Sequence, residues 1–431
     1  MVHELIIKTR EQGTELSDSL NGDNTNNSFS GKKKTLSKNG IVWLMMFFMI
    51  LNLLPVDIYL PAVQLIANDL NTSVDNVQLG IFFYLISMGI GQLFLGALSD
   101  KYGRKPIALA SLLIYVAASV LATVATNLET LMASRLIQGV GACGCAVTAL
   151  AVVRDLFNES ESAKIYSVLN GAQSIVPALA PLLGGFISVQ FGWRYCFALL
   201  VVLGAVTLLF TKVKMHETND KSEITSESIN ADAPEKSKSF WSIISDARFS
   251  PNAIASMAAM AFIVQYVVKS PVLLIDNLGL TPTEFSLVFG SNAFLIMFAA
   301  YCATKLISKT SAKITCHLGL GLMILSSAMF FVIPNPDSLT QYLVFLSIGS
   351  FGFSFSLGSS IGMALAPFPD CAGKASSVLG FLQFTITSIV GIIVGYFFPS
   401  GAMSLAITVP VFAFTSVLLG QYLNNIRKIQ Q

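Results

Sequence analysis

Three ionisable side chains sit inside apolar runs, where a charge needs a reason to be. Asp57, in Leu54-Pro55-Val56-Asp57-Ile58-Tyr59-Leu60-Pro61, is the acidic side chain set well inside such a run. Burying a carboxylate in an apolar membrane interior costs several kcal/mol, so such groups face cavities and serve function by default. Asp57 lies about six residues from the outer end of its run, roughly 9 Å deep at 1.5 Å per residue. Partly desolvated there, it could take up and release a proton near neutrality; the alternative is a structural cap at the Pro61 bend. Arg135 lies at similar depth in the fourth run, and a cation beside Asp57 would favour proton release. Its alternative is to snorkel to the outer headgroups. Lys269 lies about five residues from the outer end of the seventh run, by the same count along a helix. Lining a cavity and snorkelling are both open to it. A cavity holding Asp57, Arg135 and Lys269 would be net positive and would suit anionic or zwitterionic substrates better than lipophilic cations. Tyr59, Gln138 and Asn292 are the polar neighbours expected on the same wall. Asn170, Gln173, Gln265, Tyr266 and Gln383 could orient a substrate too, although such residues often join helices.

Composition says what must position these groups. Of 431 residues, 54% are hydrophobic and 12% charged, against about 25% charged in soluble domains. Residues 1–40 and 214–248 hold 11 and 12 of the 50 charged residues. So few charges elsewhere cannot clothe a water-facing surface, which excludes soluble enzymes, nucleic-acid binders and secreted disulfide scaffolds. Six cysteines and three histidines are scattered, without a CxxC pair or a cluster at metal-ligand spacing, so the cysteines read as small packing residues. No metal or cofactor is expected.

About 20 apolar residues cross a bilayer core. On that ruler the chain gives twelve spans, near 41–63, 77–98, 107–126, 131–153, 163–189, 194–213, 250–275, 284–306, 314–333, 340–365, 375–398 and 402–423. Of the 26 Lys and Arg, all but Arg135, Arg194 and Lys269 fall on one side of this arrangement. The positive-inside rule makes that side, with both termini, cytoplasmic. The expected organisation is a disordered tail (1–40), a six-helix bundle (41–213), a polar cytoplasmic linker (214–248), a second six-helix bundle (249–423) and a short tail (424–431).

One gapless offset of 210 residues superimposes the two halves. Pro61 falls on Pro271, Gly80 on Gly290, Gly139 on Gly349 and Lys164 on Lys374, while Ser167-Val168-Leu169 and Gln173 fall on Ser377-Val378-Leu379 and Gln383. Six spans per half make a parallel repeat, which places a central site near the membrane midplane with access alternating as the halves rock.

Between spans two and three stands Gly96-Ala97-Leu98-Ser99-Asp100-Lys101-Tyr102-Gly103-Arg104-Lys105. Gly96 would let a helix approach, Gly103 would permit a turn at positive φ, and Asp100 sits where helix N-termini or Arg partners can hold it. This run resembles the signature loop of the major facilitator superfamily. Arg135-Leu136-Ile137-Gln138-Gly139-Val140-Gly141 is similar to the motif of its proton-driven members. Ala180-Pro181-Leu182-Leu183-Gly184-Gly185 is similar to the antiporter motif, with Ala180 in place of its first Gly. With Leu54–Ala62, Arg154-Asp155-Leu156-Phe157 and Ala366-Pro367-Phe368-Pro369, the chain resembles the twelve-helix drug:proton antiporters of the bicyclomycin-resistance type over residues 41–423.

The resemblance implies an all-α membrane protein of two pseudo-symmetric six-helix bundles. It implies a monomer in the bacterial inner membrane, driven by the proton gradient rather than a cofactor. The implied function is proton-coupled export of a small molecule, such as a drug, a metabolite or a siderophore; import or facilitation on the same fold is the alternative, and a membrane-embedded sensor or enzyme a remoter one. Partners are then substrate, protons and lipid, not nucleic acid. By resemblance Asp57 and Arg135 carry proton coupling, with Tyr59, Gln138, Lys269 and Asn292 in the substrate cavity. Gly96, Asp100, Gly103, Arg104, Arg154, Asp155, Pro181, Gly184 and Gly185 belong to the conformational switch. The second half has no matching acid, since Asp57 falls on Val267, and Met49 stands where some related exporters carry a further acid.

Overall fold

Inside a lipid bilayer a backbone must satisfy its own N–H and C=O groups, and an unbroken apolar run does so only as a helix. The computed structural model describes residues 38–218, 239–333, 338–398 and 401–430, and no strand occurs among them. Among the described residues twelve helices are long and apolar enough to cross a membrane: α1 (Lys38–Asp69), α2 (Val74–Tyr102), α3 (Arg104–Thr123), α4 (Leu128–Leu156), α5 (Ser160–Gln190), α6 (Arg194–Lys214), α7 (Ser250–Asn277), α8 (Pro282–Lys309), α9 (Ala312–Val332), α10 (Leu339–Leu365), α11 (Ala372–Phe397) and α12 (Met403–Leu423). Six of them, α2, α4, α5, α8, α9 and α10, start on oxygen-bearing caps that accept otherwise orphaned N–H groups. Asn127 accepts from Thr130 N–H at 2.8 Å, and Asn158 with Glu161 and Thr281 with Glu284 form reciprocal capping boxes. Large apolar side chains such as Leu113, Leu209, Phe298 and Phe397 stand exposed on the outer faces, as a lipid-facing surface requires.

The packing repeats as the sequence does. In the first half α4 packs on α1, α2 and α3, α3 on α6, and α1 on α5 and α6; in the second, α10 packs on α7, α8 and α9, α9 on α12, and α7 on α11 and α12. The halves meet through α5 with α8 and α2 with α11, pairs that the repeat exchanges. The result is an all-α fold of two pseudo-symmetric six-helix bundles. The repeat also matches the breaks. Tyr59 and a 3-10 turn at Leu60–Ala62 interrupt α1 around Pro61, and a π-turn at Val272–Asn277 follows Pro271 in α7. A proline lacks the N–H its helix would use, so both helices change form at the same register.

Three sequence expectations need correction here. Helix α1 runs on to Asp69 rather than ending near residue 63. Asp57 therefore lies nearer the middle of the span than the residue count suggested. The expected disordered tail falls almost wholly outside the described residues, as does linker segment 219–238. The described end of the linker is not merely polar: the short helix Phe240–Ile244 buries Ile243 in an apolar cluster with Phe249 and Phe368, whose rings meet edge-on at 5.8 Å. Nor does Gly96 serve a close helix approach. A methyl there would find only Val147 Cγ1, 3.9 Å away, an ordinary contact.

Gly103 does need to be glycine. Its φ of 102° with ψ of 158° lies in a region essentially reserved for glycine. A side chain there would also strike the Glu217 carboxylate, 2.5 Å from the Cβ position. Glu217, at the mouth of the linker, accepts the Arg104 N–H at 2.7 Å and the Lys105 N–H at 3.2 Å. It thereby caps α3, whose N-cap residue Gly103 has no side chain to do so. Gly103→Ala is expected to cost about 1–3 kcal/mol of backbone strain, and Gly96→Ala next to nothing. Thermal unfolding of the purified variants in detergent checks this, and equal melting temperatures would refute it.

Candidate functional site

Helix α1 delivers Asp57 at a place where the backbone ladder is broken. Pro55 and Pro61 each lack an N–H, and the regular helix ends at Asp57 itself. The Pro55 carbonyl is taken by Arg135, whose Nη2 donates to it at 2.8 Å. The same guanidinium donates through Nη1 to Gln138 Oε1, and Gln138 Nε2 donates to Ser119 Oγ at 2.8 Å. Its carbon lies 4.8 Å from the ring centroids of both Tyr59 and Tyr84, a cation–π sandwich in a dry interior. Arg135 is 1% exposed, so it does not snorkel. It pins the α1 break to α4. From the other side α5 comes so close that a methyl at Gly184 would lie 1.7 Å from the Ile58 carbonyl oxygen. The antiporter-like run thus gains a physical reason: no larger residue lets α5 reach the broken backbone.

Beside the break is a cavity of about 490 Å³ between the halves, walled by α1, α2, α5, α7, α8, α10 and α11. Most of the wall is apolar, including Val56, Ile81, Met88, Val264, Phe289 and Leu357. Among the described residues Asp57 is the one acidic or basic side chain lining it. It is 2% exposed, and its Oδ2 has no hydrogen-bond partner among the described residues. Asn292, Asn170, Gln173, Tyr266 and Gln383 also line the wall. Asn52 and Tyr84 join them without having been singled out in the sequence. Asn52 donates to the Ala142 carbonyl at 3.3 Å and accepts from Gln173 at 3.4 Å, while its own carbonyl accepts from the Tyr84 hydroxyl. A lone amide in an apolar run was the available signal for it.

Tyr59, Gln138 and Lys269, expected on the cavity wall, stand behind it. Tyr59 and Gln138 belong to the Arg135 cluster, because the cation draws their polar and π-faces away from the cavity. Lys269 is 6% exposed and neither lines the cavity nor snorkels. Its Nζ reaches Asp75 Oδ1 in the first turn of α2, 2.7 Å away, and so ties α7 of one half to α2 of the other. The net-positive cavity inferred from the sequence is therefore corrected: both cations are committed elsewhere, leaving a wall whose one charge is a carboxylate. Gln265 likewise serves helix packing, accepting from Ser404 at 3.1 Å.

At the opposite end of α2 the switch residues meet around Arg104, which is 4% exposed. It pairs with Asp100 at 2.5 Å and with Asp155 at 2.7 Å. Arg154 adds looser pairs with Asp100 at 3.8 Å and with Asp155 at 3.6 Å. Pro181, Gly184 and Gly185 lie away from this cluster, where α5 meets α1 and α8. The Pro181 carbonyl accepts from Ser286 of α8 at 2.8 Å, and a methyl at Gly185 would lie 2.8 Å from Ser286 Oγ. The cavity wall on the Arg104 side includes the exposed Asn170 and Ser174. Lys269 and Asp75 are not part of the cavity lining.

That pair is lopsided, with side-chain exposures of 7% for Lys269 and 56% for Asp75. Removing Asp75 strands a buried ammonium, whereas removing Lys269 leaves a carboxylate in water. Asp75→Asn is therefore expected to lower the melting temperature clearly more than Lys269→Met, and the double variant to recover most of the difference. Thermal unfolding of the three variants tests this; equal losses in the two single variants would contradict it.

A model of the Major Facilitator Superfamily matches residues 45–396. The chain is 30% identical over 328 residues to "Multidrug resistance protein MdtL" of Salmonella heidelberg (strain SL476), covering 76% of this chain and 81% of that protein. It is 28% identical over 366 residues to the protein of the same name from Shewanella sp. (strain ANA-3), covering 84% and 90%. Among solved structures, a bacterial homolog of the human lysosomal transporter Spinster, inward-facing and occupied, superimposes with a TM-score of 0.65 at 16% identity, over 90% of this chain and 97% of that one. The human organic anion transporter MFSD10 (TETRAN) does so with a TM-score of 0.60 at 16% identity, over 88% and 98%; both likenesses bear on the fold alone. With twelve apolar helices in two repeated bundles around a central cavity, the chain belongs to the major facilitator superfamily and is a multi-pass membrane transporter.

Proposed function

We propose that the protein is a proton-coupled exporter of drug-like small molecules, an antiporter of the bicyclomycin-resistance type. The observation that carries this reading is Asp57: one carboxylate, buried, with an unpartnered oxygen, on the wall of the cavity that lies between the halves. A carboxylate so placed is costly when ionised and empty-handed. A proton or a bound cationic or polar substrate can each relieve that cost, and the two compete for one group. Competition is what antiport requires, since proton entry then drives substrate release. The sequence-based expectation of anionic or zwitterionic substrates gives way with the relocation of Arg135 and Lys269, and cationic or neutral amphiphiles fit the wall better. The multidrug-resistance relatives support a drug-like cargo.

In this reading Asp57 carries the proton and Arg135 positions the α1 break that presents it. The gradient supplies the energy and no cofactor takes part. The Arg104 cluster and the α5 glycines serve the rocking of the halves, while the Lys269–Asp75 pair holds the outer end shut in the conformation described. The distribution of basic residues supports cytoplasmic termini, and the bacterial relatives support an inner-membrane location; the reading takes the bundles to run near residues 41–213 and 249–423 and the working unit to be a monomer.

Asp57→Asn is expected to abolish ethidium efflux driven by an imposed pH gradient in proteoliposomes, because an amide cannot cycle a proton. Ethidium exchange down its own gradient is expected to persist. Efflux by the variant at the wild-type rate would contradict the assignment.

A further inference from the structure

Three buried polar atoms on the second-half wall of the cavity share one property. Tyr266 Oη on α7, Asn292 Nδ2 on α8 and Gln383 Nε2 on α11 all lack a hydrogen bond within 3.5 Å among the described residues, with the Asn292 amide in looser contact with the Tyr266 hydroxyl. Their residues are 3%, 4% and 8% exposed, and all three line the cavity. All three groups can donate a hydrogen bond, and the Tyr266 hydroxyl can also accept one.

Asn292 and Tyr266 are oriented by what lies behind them, and Gln383 by the form of its helix. Ser350 donates to Asn292 Oδ1 at 2.8 Å, which spends the acceptor end of that amide and leaves its NH₂ over. The Tyr266 ring stacks on Phe289, with centroids 5.0 Å apart and planes 15° apart, so the ring is held. Gln383 sits on the π-turn Leu382–Ile386. Such a turn admits one extra residue and rotates the side chains around it, and it recurs at functional sites. The matching Gln173 in the first half, on the unbroken helix α5, spends its amide on Asn52 instead. The repeat therefore keeps the residue and changes its use.

Resting on the reading that this cavity takes the transported molecule, we propose that Tyr266, Asn292 and Gln383 form a hydrogen-bond-donor subsite for an acceptor group of the substrate, an amide or ketone carbonyl on an apolar, aromatic-bearing body. Asp57 on the first-half wall is the complementary end. A ligand that fills the cavity without offering an acceptor strands these donors in an apolar wall. A carbonyl, with two lone pairs, meets two of them at once. Sites of this kind reject the analogue that lacks the polar group more strongly than apolar pockets reject a missing methylene. The subsite thus selects among uncharged molecules, a task that Asp57 alone cannot perform.

The test uses the full-length transporter in lipid nanodiscs and two matched probe pairs, N-phenylbenzamide with N-benzylaniline and benzophenone with diphenylmethane. In each pair a carbonyl is exchanged for a methylene on one skeleton. Equilibrium dialysis is expected to show the carbonyl member bound about ten- to a hundredfold more tightly. In the triple variant Tyr266→Phe, Asn292→Leu, Gln383→Leu that preference is expected to vanish while the methylene members bind as before, which also reports an intact cavity. Equal affinity within both pairs in the wild type, no binding of either carbonyl probe, or a preference that survives the triple substitution would overturn the subsite. A triple variant that binds no probe is replaced by the three single variants, each expected to lower the preference, and an unchanged preference in all three overturns the proposal. Gradient-driven ethidium efflux, measured in parallel, separates the two ideas. Efflux without a carbonyl preference removes the subsite and leaves the proposed function standing; a preference without efflux does the reverse.

Discussion

Everything at the centre of this molecule depends on how the break in α1 is held. A helix interrupted by two prolines in a dry interior has backbone carbonyls with no N–H to meet them, and each unmet group is destabilising. Arg135 meets the Pro55 carbonyl at 2.8 Å with its charge spread over two tyrosine rings and a glutamine. The guanidinium suits this task because its donors form a rigid fork and its faces stack on aromatic rings; an ammonium offers neither. Gly184 then lets α5 press on the same break from the other side. Held from α4 and from α5, the end of the regular helix is fixed in space, and Asp57 stands on it.

This arrangement separates the charges by role. Arg135 is consumed by the backbone and the rings, and Lys269 by Asp75 across the halves. The carboxylate is left as the sole charge on a wall that is otherwise apolar or neutral. A cavity with one cation-seeking group and several neutral donors suits varied cargo, since shape and apolar contact supply much of the binding while few polar groups set its orientation. The Lys269–Asp75 pair and the Arg104 cluster lie at opposite ends of α2, so one helix connects them. Motion of α2 against α7 and α11 would break the outer contact without touching the Arg104 pairs to Asp100 and Asp155, which lie within the first half.

Much of this was legible in the sequence, and the physical reasons are plain. Lipid forces apolar runs into helices, so hydropathy alone places twelve spans. The repeat offset aligns Pro61 with Pro271, and both helices change form there. Gly103 announces its turn because no other residue tolerates that backbone. What composition could not convey is direction. A buried Arg or Lys reads as a cavity charge until its partners are known, and the partners of Arg135 and Lys269 are a backbone carbonyl 80 residues away and an acid 194 residues away. Asp75 lies outside the span that hydropathy places at 77–98, and Glu217 is one charge of many in a polar linker, so neither is marked by its surroundings in the sequence. Gln173 and Gln383 look equivalent under the repeat, and only the π-turn in α11 separates them.

The central claim is that substrate and proton contend for the Asp57 carboxyl within this cavity. Proton release on ligand binding measures that contention without a membrane gradient or a transport cycle. Purified protein in weakly buffered detergent solution with a pH indicator, titrated with ethidium from pH 5.5 to 8, should release up to about one proton per ligand bound over part of that range. The Asp57→Asn protein should bind ethidium and release none. Release that persists undiminished in that variant, or binding by the wild type with no release anywhere in the range, would contradict the account.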